Sequence, residues 1–428
     1  MEAKDWPLIV NEVKPYRGDP IVVSQLTSTP FFKKTALKFN ALARYSTITY
    51  YLVIIVTAFF GMAFNLIFPA LIVLGLSNLD NAFYVAINNS NWLELAIWLP
   101  VIIISTIVSC RIVSIKFPAS AGINVNYRTV PGLVGLVAEL QETYKRPKLD
   151  NIVISDQFIL DIVKTPVFGL PIGSSNTLII GLPILLTLSP LNFKCALERK
   201  FGQFSKKRHF LDNWLYQLRF IWSQYNDFYA QRLHSGDQIL SWYFRFFAPF
   251  YNAISTHVYN KVNLRTDAFA LENMSDIDLL DLIKKSILSR SFLSSIYWPS
   301  IHEMVHKDPL SSPHPFYRMT DMFHKTLLTC DTRKLLQDAL VCNSSKSNGE
   351  TSLEERLDNI GYYRLSKPLI SEESAALEYL GQAYHSIIGL MDRFWITHKL
   401  PLAKTDDENL GEQKSPPVSY GNIANNIR

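Results

Sequence analysis

From Tyr50 to Leu76 the chain reads YYLVIIVTAFFGMAFNLIFPALIVLGL, a run without one charged side chain. It is longer than the roughly 20 apolar residues that carry a helix across a bilayer. In lipid every backbone N–H and C=O must find its partner inside the segment, so the run is predicted to be a transmembrane helix. Gly61, Asn65 and Pro69 within it predict a kink covered by a neighbouring helix. A second run, Trp92 to Cys110, supplies that neighbour.

The connection Ser77 to Asn91 carries no Lys or Arg, whereas Lys33, Lys34, Lys38 and Arg44 precede the first span and Arg111, Lys116 and Arg128 follow the second. By the positive-inside rule both ends of this hairpin face the cytoplasm. The expectation is a multi-pass protein of the cytoplasmic (inner) membrane, with membrane lipid as a partner and its folded domain on the cytoplasmic side.

What remains of the 428 residues is long enough for a separate core, since 48% of the chain is hydrophobic and 13% aromatic. A mean hydropathy of +0.09 excludes a chain made mostly of spans. The net charge of +5 comes from scattered Lys and Arg rather than a basic stripe, which argues against a nucleic-acid partner. Cys110, Cys195, Cys330 and Cys342 show neither C-x-x-C spacing nor a framework, so they read as reduced, buried fillers. The polar first forty residues predict no cleavable signal peptide.

The boundaries follow: an N-terminal cytoplasmic segment over 1–48, a hairpin over 49–115 with spans at about 50–76 and 92–110, a domain over 116–400, and a disordered polar tail over 401–428. Val167 to Leu188 is broken by Pro171, Gly173, Gly181 and Pro183 and reads as buried strands rather than a third span. Ser174 and Ser175 read as a turn between strands. The stretch 239–254 is short for a span and carries Arg245 and Pro249, so an interfacial, core or membrane helix all fit.

Two further patterns bear on chemistry. His302-Glu303-Met304-Val305-His306 has the spacing of the HExxH zinc-protease motif, in which two imidazoles share one helix face and the glutamate acts as base. Residues 181–220, GLPILLTLSPLNFKCALERKFGQFSKKRHFLDNWLYQLRF, carry a different signal. Further on stand NLRTDAFA from Asn263, SLEERLDNIGY from Ser352 and AALEYLG from Ala375.

In these stretches the chain resembles the membrane-anchored zinc metallopeptidases of the HtpX and CAAX-prenyl-endopeptidase type. In that family lGLPLL..LSPEE..AVLAHEFGHFSG leads into an aromatic helix, an ExxAD motif follows, and later come SLaeRLaaLG and AA..LLG. The resemblance covers about 122–398. It implies a mostly α, α+β gluzincin metallopeptidase fold with the hairpin ahead of it, and a role of the kind found in membrane protein quality control.

Carried over residue by residue, the first histidine of the metal helix becomes Arg199, the catalytic glutamate Lys200, the second histidine Gln203, and the third ligand Asn263; only the supporting Asp267 survives. A guanidinium has no lone pair to donate, and an ammonium is a base only if its pKa falls by several units. The amides of Gln203 and Asn263 are poor zinc ligands beside imidazole or carboxylate. The resemblance therefore implies no metal, no cofactor and no catalytic residue at this site. Phe201, Gly202, Phe204 and Ser205 still match the family, so the helix itself is expected to remain.

The alternative is an active zinc endopeptidase with His302 and His306 as metal ligands and Glu303 as base. Against it, Pro299 and Pro309 leave only about two turns of helix. The stretch matches the family's surface-lying WPEL helix, and a third ligand would have to come from Glu372, Glu373 or Glu378. Lys206-Lys207-Arg208-His209 reads as a solvated or headgroup-facing patch. Tyr225, Tyr229, Trp242 and Tyr243 read as core or membrane-interface anchors.

The leading expectation is a catalytically inactive relative acting in protein binding or regulation at the membrane. Its partner would be an extended peptide or a membrane-protein client, held on the strand edge Asn176, Thr177, Leu178, Ile179 and Ile180. Without zinc, Asp267 needs a new counter-charge, and Arg199 is predicted to bridge to it. Arg199→Ala is then expected to cost roughly 3 kcal/mol or more by stranding the aspartate. Lys200 is predicted to point into the cleft, toward Glu198 or to solvent.

Overall fold

The computed structural model describes residues 29–89, 92–113, 122–144, 149–166, 174–203, 210–230, 238–308, 313–329, 334, 336, 356–357 and 373–398. The fold is mostly helical, with one small sheet. Helix α1 (Pro30–Tyr45) leads into α2 (Thr47–Asn89), which spans 43 residues, and α3 (Leu93–Val113) folds back along it. At 1.5 Å per residue α2 is about 64 Å long, twice the hydrocarbon thickness of a bilayer.

Both α2 and α3 are long and apolar enough to cross a membrane. Leu76, Ile103, Ile104 and Ile107 lie uncovered on their surfaces. The connection expected from Ser77 is helical as far as Asn89, because nothing in SNLDNAFYVAI breaks a helix and α3 begins only at Leu93.

The two halves of α2 have different neighbours. In the first half Tyr50, Ile54 and Ala58, spaced by one turn, are buried in an aromatic cluster with α7 (Phe210–Ala230), α8 (Gln238–Ile254) and α9 (Thr256–Asn273). Gly61 belongs to this stripe, and a Cβ there would run into the rings of Phe247 and Trp222. Tyr243 stacks on Phe64 with ring centroids 3.6 Å apart. The second half of α2 pairs with α3, where Ile102 and Trp98 face Gly75.

The stretch 239–254 is thus a helix with one face on α2 and the other, bearing Trp242 and Phe246, exposed. Tyr225 and Tyr229 are buried in the same cluster.

The sheet holds β1 (Ile123–Val125), β2 (Asn151–Ser155), β3 (Leu160–Pro166) and β4 (Ser174–Gly181) in the order β1-β2-β4-β3. Helix α4 (Pro131–Thr143) connects β1 to β2. Strand β4 runs parallel to β2, pairing Leu178 with Ile152, and antiparallel to β3, pairing Leu178 with Ile162. Leu178 and Ile180 enter the main core while Ile179 is buried on the opposite face. A strand covered on both faces needs no polar alternation, which is why LII reads as an unbroken apolar run.

This corrects two expectations. Ser174 and Ser175 are not a turn but begin β4. Residues Asn176, Thr177, Leu178, Ile179 and Ile180 do not form a free edge, because β2 and β3 occupy both sides of their strand. The strand reading of Val167 to Leu188 holds from Ser174 to Gly181; the rest becomes the short helix α5 (Leu182–Thr187), and 167–173 lie outside the described residues.

The core is completed by α6 (Pro190–Gln203), α10 (Asp276–Phe292), α11 (Trp298–Lys307), α12 (Pro315–Thr329), α13 (Ala375–Leu380) and α14 (Tyr384–His398). Cys195 is buried as expected, but Cys110 is exposed on the outer face of α3. Cys330, Cys342 and the tail over 401–428 fall outside the described residues.

Candidate functional site: a cation cluster between two helices

Helix α6 begins at Ser189-Pro190, where the serine hydroxyl accepts the Asn192 N–H at 3.4 Å and the proline takes the first helical position, at which no N–H is needed. Phe193, Leu197 and Phe201, at i, i+4 and i+8, face the core. Register then places Arg199 and Lys200 on the side toward α9 and the sheet. The approach to α9 is close: a Cβ on Gly202 would collide with the ring of Phe269. Asn263 and Asp267 lie one turn apart on α9, Asn263 half-buried and Asp267 fully buried.

Arg199 Nε donates to Asp267 Oδ1 at 2.5 Å, the predicted bridge. A second cation, which the sequence reading missed, shares the same carboxylate: Arg356 donates from Nε to Oδ2 at 2.8 Å and from Nη2 to Oδ1 at 3.0 Å. Burial alone would raise the Asp267 carboxyl, but the charges and hydrogen bonds of Arg199 and Arg356 outweigh it and hold the group below the usual carboxylate range. Arg356 lies inside the SLEERL stretch quoted for the resemblance, so its motif, though not its contact, was visible.

Lys200 does not turn to Glu198 or to solvent. Its Nζ pairs with Asp161 Oδ2 at 3.2 Å, across to β3. Burial pushes the Lys200 ammonium below its ordinary pKa, an effect that Asp161 partly offsets. The other oxygen of Asp161 accepts the N–H of Ile162 at 2.8 Å, and Gln224 Nε2 donates to the carbonyl of Lys164 at 3.1 Å. Strand β3 is an outer strand of the sheet, and these side chains meet two of its main-chain groups.

The remaining candidates are not drawn together here. His302, Glu303 and His306 lie exposed on α11, a ten-residue helix, where Glu303 pairs with Lys307 at 2.6 Å. No group of three or more His, Cys, Asp or Glu side chains is placed to hold a metal among the described residues. Glu373 lies beside Ser189 and His324, and Glu378 is on α13; Glu372, Phe204, Ser205 and the Lys206 to His209 patch are outside the described residues, as is the side chain of Gln203.

A second ionic group also escaped the sequence reading. Asp212 of α7 accepts from Tyr51 of α2 and pairs with Arg265 of α9, with Lys261 Nζ at 3.6 Å. It fastens the start of the long helix to the domain. Its signal was slight: Lys261 and Arg265 lie one turn apart on a largely polar helix, and Asp212 stands near the start of the aromatic α7.

Chemically, the cluster around Asp267 is a set of hydrogen-bond donors held by carboxylates. Among the described residues its cations Arg199, Lys200 and Arg356 are each engaged by Asp267 or Asp161, and a guanidinium has no lone pair to offer a metal. No protein-family model, no curated protein and no solved structure matches this chain.

Proposed function

We propose that this chain is a membrane-anchored, non-catalytic relative of the HtpX-type zinc metallopeptidases, acting by binding or regulating other polypeptides at the membrane. The observation that carries the reading is the Arg199–Asp267 contact between α6 and α9. It joins the two positions at which the resemblance expects a zinc-binding histidine and the aspartate that supports it. In this reading the guanidinium does mechanically what the metal would do, tying two helices together, without supplying a Lewis acid.

The strand-then-helix order β4, α5, α6 and the later α9 are in keeping with the gluzincin-type fold of that family, and α2 and α3 with an anchoring hairpin whose ends lie in the cytoplasm. The fold and the sidedness are parts of the proposal.

Elemental analysis of the detergent-purified protein, run beside cleavage of an unfolded protein substrate, tests it. The expected result is substoichiometric zinc and no cleavage. Stoichiometric zinc that disappears in His302→Ala, together with cleavage, would replace this reading by an active endopeptidase using His302, Glu303 and His306.

A further inference from the structure

Among the described residues the charges around Asp267 do not balance: three cations, Arg199, Lys200 and Arg356, face two carboxylates, Asp267 and Asp161. The side chains of Arg199, Lys200 and Arg356 are only 18%, 15% and 24% exposed, so water screens the excess poorly. An uncompensated cation in such a place is costly to keep.

Among the described residues hydrogen-bond donors are left over as well. Arg199 reaches Asp267 through Nε alone, and among the described residues its Nη1 and Nη2 donate to nothing. Arg356 spends Nε and Nη2 on the same carboxylate, and its Nη1 has no acceptor among the described residues.

We propose that this cluster binds a carboxylate of another polypeptide, either its free C-terminus or an acidic side chain. The class of ligand follows from the chemistry. Among the described residues the excess is a single positive charge, which a monoanion neutralises and a phosphate dianion would overshoot. The unused edge of the Arg199 guanidinium is a planar fork of donors matched to the two oxygens of a carboxylate. Main-chain pairing along β3 is a poor alternative, because Asp161 holds the Ile162 N–H and Gln224 holds the Lys164 carbonyl. A chain held here would be recognised by its charge and not as an added strand.

The proposal rests on the non-catalytic reading, in which this cluster stands where the resemblance expects the metal. Its test is separate. Full-length protein in detergent is titrated, by calorimetry, with short alanine–glycine peptides: one with a free C-terminal carboxylate, one amidated, and one amidated and acetylated with an internal glutamate. Inorganic phosphate and acetate are run alongside.

Binding of the free-carboxylate peptide, or of the glutamate peptide, at least tenfold tighter than the plain amide is expected, and which of the two binds identifies the source. Arg199→Met should remove that difference while Lys307→Met, on exposed α11 and paired with Glu303, retains it. If Arg199→Met does not fold, the wild-type comparison of acid with amide still decides.

Equal binding of acid and amide, phosphate binding as tight as the carboxylate peptides, no binding of any of them at millimolar concentration, or an unaffected Arg199→Met would each overturn the proposal. Zinc with cleavage sinks the non-catalytic reading; indifference to the carboxylate in a metal-free protein sinks only this one.

Discussion

Arg199 Nε stands 2.5 Å from Asp267 Oδ1, and through that contact helix α6 is tied to helix α9 across a gap that Gly202 and Phe269 leave narrow. The aspartate is fully buried, and Arg356 grips it from a third part of the chain. The consequences differ for each partner.

With Arg356 still in place, Arg199→Ala does not strand the aspartate, so the loss is smaller than the 3 kcal/mol expected from the pair alone. It should cost about 2 kcal/mol, the worth of a charged hydrogen bond. Asp267→Ala, which leaves two arginines facing each other, should cost about 4 kcal/mol. The Arg199→Met, Asp267→Leu double change should cost less than Asp267→Ala. Denaturant unfolding in detergent measures all three, and equal losses in the two single variants would contradict a shared carboxylate.

Acid should act through the same group. A carboxyl held below its unfolded value of about 3.9 contributes stability that is fully present above that pH and is lost as the pH falls toward its lower folded value. Asp267 is such a group. The stability gap between wild type and Asp267→Asn should be constant from neutral pH down to about pH 5 and narrow below about pH 4. A gap that widens on acidification would reverse the sign of the argument.

Leu178 lies in the interior strand β4, paired on both sides. Leu178→Pro removes a main-chain donor from the middle of the sheet and a buried side chain from the core, so the variant should lose cooperative unfolding altogether. A variant that unfolds like wild type, merely failing to retain a partner, would restore the edge-strand reading.

The hairpin makes a prediction about sidedness. Asn88→Cys, at the exposed far end of α2, should react with an impermeant thiol reagent on intact cells, whereas a cysteine placed in the C-terminal tail should not. The reverse pattern would invert the topology.

Local chemistry made several features legible in the sequence. An uncharged run longer than a bilayer is wide has few folded states open to it, so both long helices could be named from composition, though the predicted end at Leu76 fell well short of Asn89. The Arg199–Asp267 contact was legible too, because two positions of one resembled site carried opposite charges. The exposure of His302 and His306 was legible, but Pro299 does not cut their helix off from α10: a π-helical turn over Leu293–Tyr297 joins the two.

What the tertiary structure alone decided is everything that depends on which strand or side chain arrives from elsewhere. Leu178 to Ile180 read equally well as an edge or a centre, since an apolar run records burial on two faces and says nothing of which neighbours its main-chain groups pair with. Lys200 finds Asp161 because β3 folds back beside β4 and brings a carboxylate within 3.2 Å of the ammonium, and Arg356 reaches Asp267 across 89 positions of chain. Long-range pairing of buried charges is set by the packing of whole elements, so a local pattern can announce that a carboxylate needs a partner without saying how many cations will come.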